Sequence, residues 1–314
     1  MNEFLVVEAG ERAPQRLRRK ALDLADDALG KLDAMTAGDP KALHDVRRRL
    51  KELRAMAALL GQPDAEFFRN AGRMLSPYRD AKAAVEAFDR LRERFATEWT
   101  PRQFSKIRRA LVARVPPSID PQIGDDLRAA LLVERGQIAA WAVDEMKREE
   151  LWSAITRSYK RARRAMRATR EEKTAERLHE WRKHAKIHWY HAQFFADVNM
   201  ARFEPHTDLL RKLSRALGDH HDLVVIDQLC RDAPEAFGTP RYVKSFRSYI
   251  AKRLSDLEVD AESLGRDLFA TRARNWEVRI RLTANPPDVR VRIAPNASTG
   301  AAPSRGSNAS HPRA

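Results

Sequence analysis

Histidine, arginine and lysine recur at one spacing in two places. In LHDVRRRLKELRAMAALL (43–60) His44 is followed by Arg47, Arg48, Lys51 and Arg54, and in LHEWRKHAKIHWYHAQFF (178–195) His179 is followed by Arg182, Lys183 and Lys186. On a helix, at ~100° per residue, each set falls within about 120° of arc, its heads stacked one turn, ~5 Å, apart. Tyr190 continues the second column, and Leu43, Val46, Leu50, Leu53, Ala57 and Leu60 take the opposite side of the first helix. These basic side chains offer hydrogen-bond donors and positive charge, so they are suited to holding phosphate oxygens. Solvated helix faces normally interleave Glu with Lys, because like charges one turn apart cost about a few tenths of a kcal/mol each. A basic column that occurs twice at matched positions is best explained by a polyanion that relieves the repulsion. The neighbouring RSYKRARRAMRATR (157–170) adds seven cations and no acid, Lys160 and Arg164 among them.

The two columns belong to an internal repeat. At an offset of 135 residues Leu43 aligns with Leu178, His44 with His179, Asp45 with Glu180, Arg47 with Arg182, Arg48 with Lys183 and Lys51 with Lys186. Downstream, Arg69 aligns with Arg211, Arg73 with Arg215, Leu75 with Leu217 and Asp80 with Asp222. A repeat this long suits two similar helical bundles in tandem, cut near VPPSIDP (115–121) or within the following helix. The columns of the two halves could then face one groove, with Arg73, Arg211 and Arg215 as further candidates on its walls.

The elements that must position these residues are helical. Ala, Leu, Arg, Lys and Glu dominate the first 267 residues, and apolar residues recur three and four apart between Pro- and Gly-bearing breaks. Helices are predicted near 11–37, 40–60, 64–76, 79–98, 103–114, 122–148, 150–169, 172–197, 204–217, 220–231 and 240–266, giving an all-α protein with halves of about 11–120 and 121–267. Beyond 267, WEVRIRL and DVRVRI alternate like short strands, and APNASTGAAPSRGSNASHPRA is a low-complexity stretch, so 268–314 is expected to be an Arg-rich, disordered tail.

Composition fits a polyanion partner. Among 314 residues, 59 Lys and Arg face 44 Asp and Glu, a formal charge of +15. Residues 268–314 carry eight Arg against two acids, which leaves +9 on the rest. The single cysteine, Cys230, excludes an internal disulfide and a Cys-based zinc site and is expected to pack as a small hydrophobe. No apolar run reads as a signal peptide or a membrane span, so a soluble, cytoplasmic protein is expected.

LHDVRRRLKELR and LHEWRKHAK, each followed by LSPYRD (75–80) or LGDHHD (217–222), resemble the signature of the CHAD family, the conserved histidine α-helical domain, over about residues 11–266. The resemblance implies two antiparallel helical bundles related by a pseudo-twofold, a basic central cavity, binding of inorganic polyphosphate and association with polyphosphate granules. Carried over by position, it points to His44, Arg47, Lys51, Arg54, Arg79, His179, Arg182 and Lys186. The chain departs from the pattern at His188-Trp189-Tyr190, where Leu-Arg-Tyr is common, and at His221-Asp222, where a second Arg-Asp is expected. The Glu-x-Glu-x-Lys strand of the catalytic triphosphate-tunnel (CYTH) domain that often accompanies the family is not found.

Other chemistries have less to stand on. The pairs HD (44–45), HE (179–180) and HHD (220–222) evoke a metal-dependent phosphohydrolase. Adjacent helical residues, however, point about 100° apart, and the surrounding arginines repel a cation. No cofactor or metal is expected, and the protein is read as non-catalytic. Nucleic acid is the stronger alternative partner, since counterion release rewards any basic array. The first basic helix nevertheless lacks aromatic residues to stack bases, and membrane binding would need apolar faces that the bundle cores use. The histidines, ordinarily near pKa ~6.5, should make affinity fall as pH rises from about 6 to 8.

Overall fold

The computed structural model describes residues 12–100, 102, 104–198 and 203–284, and all regular structure among them is helical. The helices are α1 (Ala13–Leu29), α2 (Leu32–Thr36), α3 (Pro40–Leu60), α4 (Ala65–Met74), α5 (Ser76–Arg94), α6 (Ser105–Val112) and α7 (Pro121–Ala139). They continue with α8 (Arg148–Glu171), α9 (Ala175–Asp197), α10 (Glu204–Asp232), α11 (Pro234–Phe237), α12 (Pro240–Phe269) and α13 (Ala273–Ala284).

The two helices that carry the basic columns are delimited by local chemistry. Asp39 caps α3 by accepting the Lys41 amide at 2.8 Å, Pro40 presets its first turn, and Gly61 ends it in the left-handed region at φ +69°. Thr174 caps α9 by accepting the Arg177 amide at 3.2 Å. Their apolar faces enter one continuous core that runs from Leu17 to Trp276.

Packing across the chain brings the columns together. α3 lies against α1, α4, α8 and α9; α9 lies against α8 and α10; α10 in turn packs on α5 and α12. α7, which follows VPPSIDP, returns to pack on α1 and α2. Gly265 of α12 makes room for the Trp181 ring of α9, whose Cζ2 lies 2.6 Å from where a β-carbon would sit.

Three expectations are corrected. The segments predicted as 204–217 and 220–231 form one helix, because a lone glycine inside a helix costs only about 1 kcal/mol relative to alanine and Gly218 leaves open the space beside Arg182 Nε. The predicted 122–148 helix ends at Ala139. WEVRIRL is helical, not a strand. Its alternation also satisfies four-residue spacing, with Trp276 buried, Ile280 packed against the core, and Glu277 paired to Arg281 at 2.7 Å. Residues 268–284, expected to belong to a disordered tail, are thus folded onto the bundle through 284; DVRVRI and the segment after it lie outside the described residues.

Candidate anion-binding groove

The columns of α3 and α9 meet. Lys51 is exposed, yet protein crowds its ammonium, and burial together with Arg47, Arg182, Arg79 and Lys186 pulls its pKa down to about 7. Lys186 is pulled down to about 8 by burial, with Arg182 and Arg48 adding to the effect and Glu52 opposing it. Its Nζ stands 3.8 Å from the centroid of Trp189 and 4.9 Å from that of Tyr190, so aromatic faces take part of its charge. Lys51, Lys186 and Arg182 make no ion pair among the described residues.

Around these lysines the arginines divide their roles. Arg47 is buried and donates to the Gly72 carbonyl at 2.8 Å and to Ser76 Oγ at 3.2 Å, which ties α3 to α4 and the start of α5. Arg182 lies beside Gly218 of α10, its pKa lowered by burial and by Arg79 against the pull of Asp222 and Asp80. Arg79 reaches Asp222 at 3.5 Å and Asp80 at 3.6 Å. Arg48 pairs with Asp45 at 3.2 Å and Lys183 with Glu180 at 2.7 Å, so the outer members of both columns are partly neutralised by the aligned acids of the repeat.

The histidines are kept short of protons. Burial lowers His44, aided by Arg48, Lys51 and Arg79 against Asp45, and lowers His179, aided by Arg182 and Lys183. His221 sits 4.5 Å from His179 between ring centroids and is pushed down to about 4 by burial, Arg182 and His179. At neutral pH these rings are neutral, so each offers one N–H donor and no full charge.

The structure thus gathers His44, Arg47, Arg48, Lys51, Arg79, His179, Arg182, Lys183 and Lys186. The other candidates sit elsewhere. Arg54, one turn beyond Lys51, meets Arg69 and Arg73 of α4. Arg211 pairs with Asp208 at 3.0 Å, and Arg215 lines a cleft with Lys212, Asp219 and Arg253. Lys160 is exposed on α8, and Arg164 borders a separate cleft between α8 and α9.

Sequence reasoning missed Arg90 and Lys82. Arg90 holds Asp219 and Asp222, each at 3.2 Å, and so bolts α5 to α10. It lies 11 residues, three helical turns, after Arg79, and that spacing was the available signal. Lys82, one turn from Arg79, lines a cleft of about 450 Å³ between α3 and α5 with His44, Lys41 and Arg79. No three His, Cys, Asp or Glu side chains converge as a metal site among the described residues.

The fold is all-α, and its two His-x-x-Arg helices, α3 and α9, pack against each other with Lys51, Arg182 and Lys186 close enough to repel one another. The chain matches the family model of the CHAD domain over residues 20–231, and it belongs to that family. No curated protein and no solved structure matches it. Among the described residues no helix is long and apolar enough to cross a membrane.

Proposed function

We propose that the protein binds inorganic polyphosphate in the groove between α3 and α9 and leaves it chemically unchanged. The observation that carries this reading is the convergence of cations from both aligned segments, Arg47 and Lys51 of α3 with Arg182 and Lys186 of α9, of which Lys51, Arg182 and Lys186 make no ion pair among the described residues. A linear polyanion removes that repulsion at several points at once, which a single phosphate does not. The indole face of Trp189 is occupied by Lys186 and Tyr190 is buried, so a stacking platform for bases is poorly supplied. The groove's cations would repel a catalytic metal. Presence at polyphosphate granules follows from the same affinity.

Competition of long-chain polyphosphate against DNA, RNA and ATP, at matched phosphate and fixed salt, tests the reading. Polyphosphate wins, and Lys51→Glu and Lys186→Glu each weaken it by similar amounts, about 1.5–3 kcal/mol per lost charge-assisted contact. Thermal stability holds or rises, because the apolar faces are untouched. Equal affinity for single-stranded RNA at ~0.15 M salt, where exposed charges are already screened, would sink the preference. Phosphate release with Mg²⁺ or Mn²⁺ that His44→Ala abolishes would make the protein an enzyme.

A further inference from the structure

A third basic column lies outside the groove. On α8, Arg157, Lys160, Arg161, Arg164 and Arg167 repeat the spacing of His44, Arg47, Arg48, Lys51 and Arg54 on α3, which places them along one side of the helix. All five are exposed, and none makes an ion pair among the described residues. Cations off this stripe are engaged: Arg163 donates to the Phe269 carbonyl at 2.9 Å, and Arg170 pairs with Glu262 at 3.6 Å.

A cleft of about 380 Å³ runs beside the stripe between α8 and α9, with Arg161, Arg164, Arg177 and His184 on its walls and Ala165 and Ala168 as small floor residues. Glu180 also lines the cleft, its carboxylate held by Lys183 at 2.7 Å and 4.0 Å from His184 Nε2, and Arg177 reaches Glu172 at 3.5 Å. Arg161 and Arg164 remain uncompensated. The two grooves share a saddle: Lys183 lies close enough to both His179 in the central groove and His184 in the outer one to disfavour protonation of each.

We infer that the cleft between α8 and α9 is a second phosphate-binding subsite, and that a long polyphosphate chain occupies it together with the central groove by crossing over Lys183. This rests on the polyphosphate reading above. The small side chains of Ala165 and Ala168 let a bare phosphate chain approach the helix backbones, and no Phe, Tyr or Trp lines the cleft as a broad stacking platform for bases. Once one stretch of a chain is seated centrally, the next stretch meets the outer cations at high effective concentration. The outer column therefore makes affinity depend on chain length.

The test compares wild type, Arg161→Gln/Arg164→Gln and Lys51→Glu, each as the full chain, against long-chain polyphosphate and tripolyphosphate. The double variant loses about tenfold or more in affinity for long chains, the expectation for an unlinked second contact. Its salt dependence becomes shallower by roughly 1–2 units of log K per log salt. It also binds one fewer equivalent of tripolyphosphate. Long-chain affinity within twofold of wild type overturns the subsite, and so does a loss confined to single-stranded RNA, which would assign the cleft to nucleic acid. Lys51→Glu separates the two readings: if it leaves both phosphate ligands unaffected the central groove is misassigned, whatever Arg161 and Arg164 do.

Discussion

Lys186 of α9 lies close enough to Lys51 of α3 to be one of the four cations that, with burial, hold the Lys51 ammonium near pKa about 7. On the proposed reading, anion binding is coupled to proton uptake, and the site's titrating groups near neutrality are lysines. The histidines expected to set the pH response are displaced downward, His221 to about 4.

Affinity for polyphosphate should accordingly fall as pH rises from about 7 to 9. The sign follows from linkage: phosphate favours the charged ammonium, so binding is strongest below the free-state value of about 7 for Lys51 and weakens until the higher bound-state value is passed. One lysine can contribute up to about tenfold per pH unit over that window. Calorimetry at pH 8 in buffers of different ionisation enthalpy should register proton uptake, and Lys51→Arg, which stays charged, should flatten the profile. A falling limb confined to pH 5.5–6.5 and indifferent to Lys51→Arg would return control to the histidines.

Asp222 is the counterpart that keeps this positive charge foldable. It is buried on α10 and accepts from Arg79 at 3.5 Å and Arg90 at 3.2 Å, both on α5. Asp222→Asn should cost about 1–3 kcal/mol, the range for a buried hydrogen bond to charge whose partners are half exposed. That is a Tm loss of roughly 2–12 °C at ~2–4 °C per kcal/mol. Added polyphosphate should raise the Tm of the variant more than that of wild type, because the freed arginines gain most from an anion. Identical melting of the two proteins, with and without polyphosphate, would show that this clamp carries no weight.

Much of this was legible in the residues. The repeat aligned Asp45 with Glu180 and Arg48 with Lys183, and the fold gives both aligned positions the same ion pair at three-residue spacing. Helical periodicity placed α3 and α9 themselves, since 3.6-residue geometry is local. What the sequence hid was tertiary. That Arg54 turns to α4 and Arg164 to the outer face of α9 depends on helix crossing angles, which no spacing encodes. WEVRIRL fits a strand and a helix equally well by pattern, and the partner that decides it, Tyr159, lies more than a hundred residues earlier.

That partner makes Trp276 the sharpest test of where the domain ends. Its ring stacks on Tyr159 with centroids 4.4 Å apart and planes 14° apart, and it lies 5.3 Å from the His188 ring and 5.7 Å from that of His206. The two imidazoles meet through their Nε2 atoms at 3.0 Å, and His188 Nδ1 is 2.9 Å from Ser158 Oγ. Burial holds His188 well below its ordinary value and His206 down to about 4. Trp276→Ala should cost about 3–5 kcal/mol as a large buried aromatic lost from a packed core, and truncation after residue 267 should cost at least as much. The pH dependence supplies a second signature. Groups whose folded pKa is depressed stabilise the fold fully only above their unfolded value of 6.5, and that stability is lost as pH falls toward about 4. The cavity left by Trp276→Ala lets water reach the pair and relaxes the depression, so the stability gap to wild type should narrow between pH 7 and 5. Trp276→Phe, which refills most of the space, should restore both the Tm and the steeper acid slope. If Trp276→Ala melts within a degree of wild type at pH 7, α13 is an ornament on the bundle and the folded domain ends at α12.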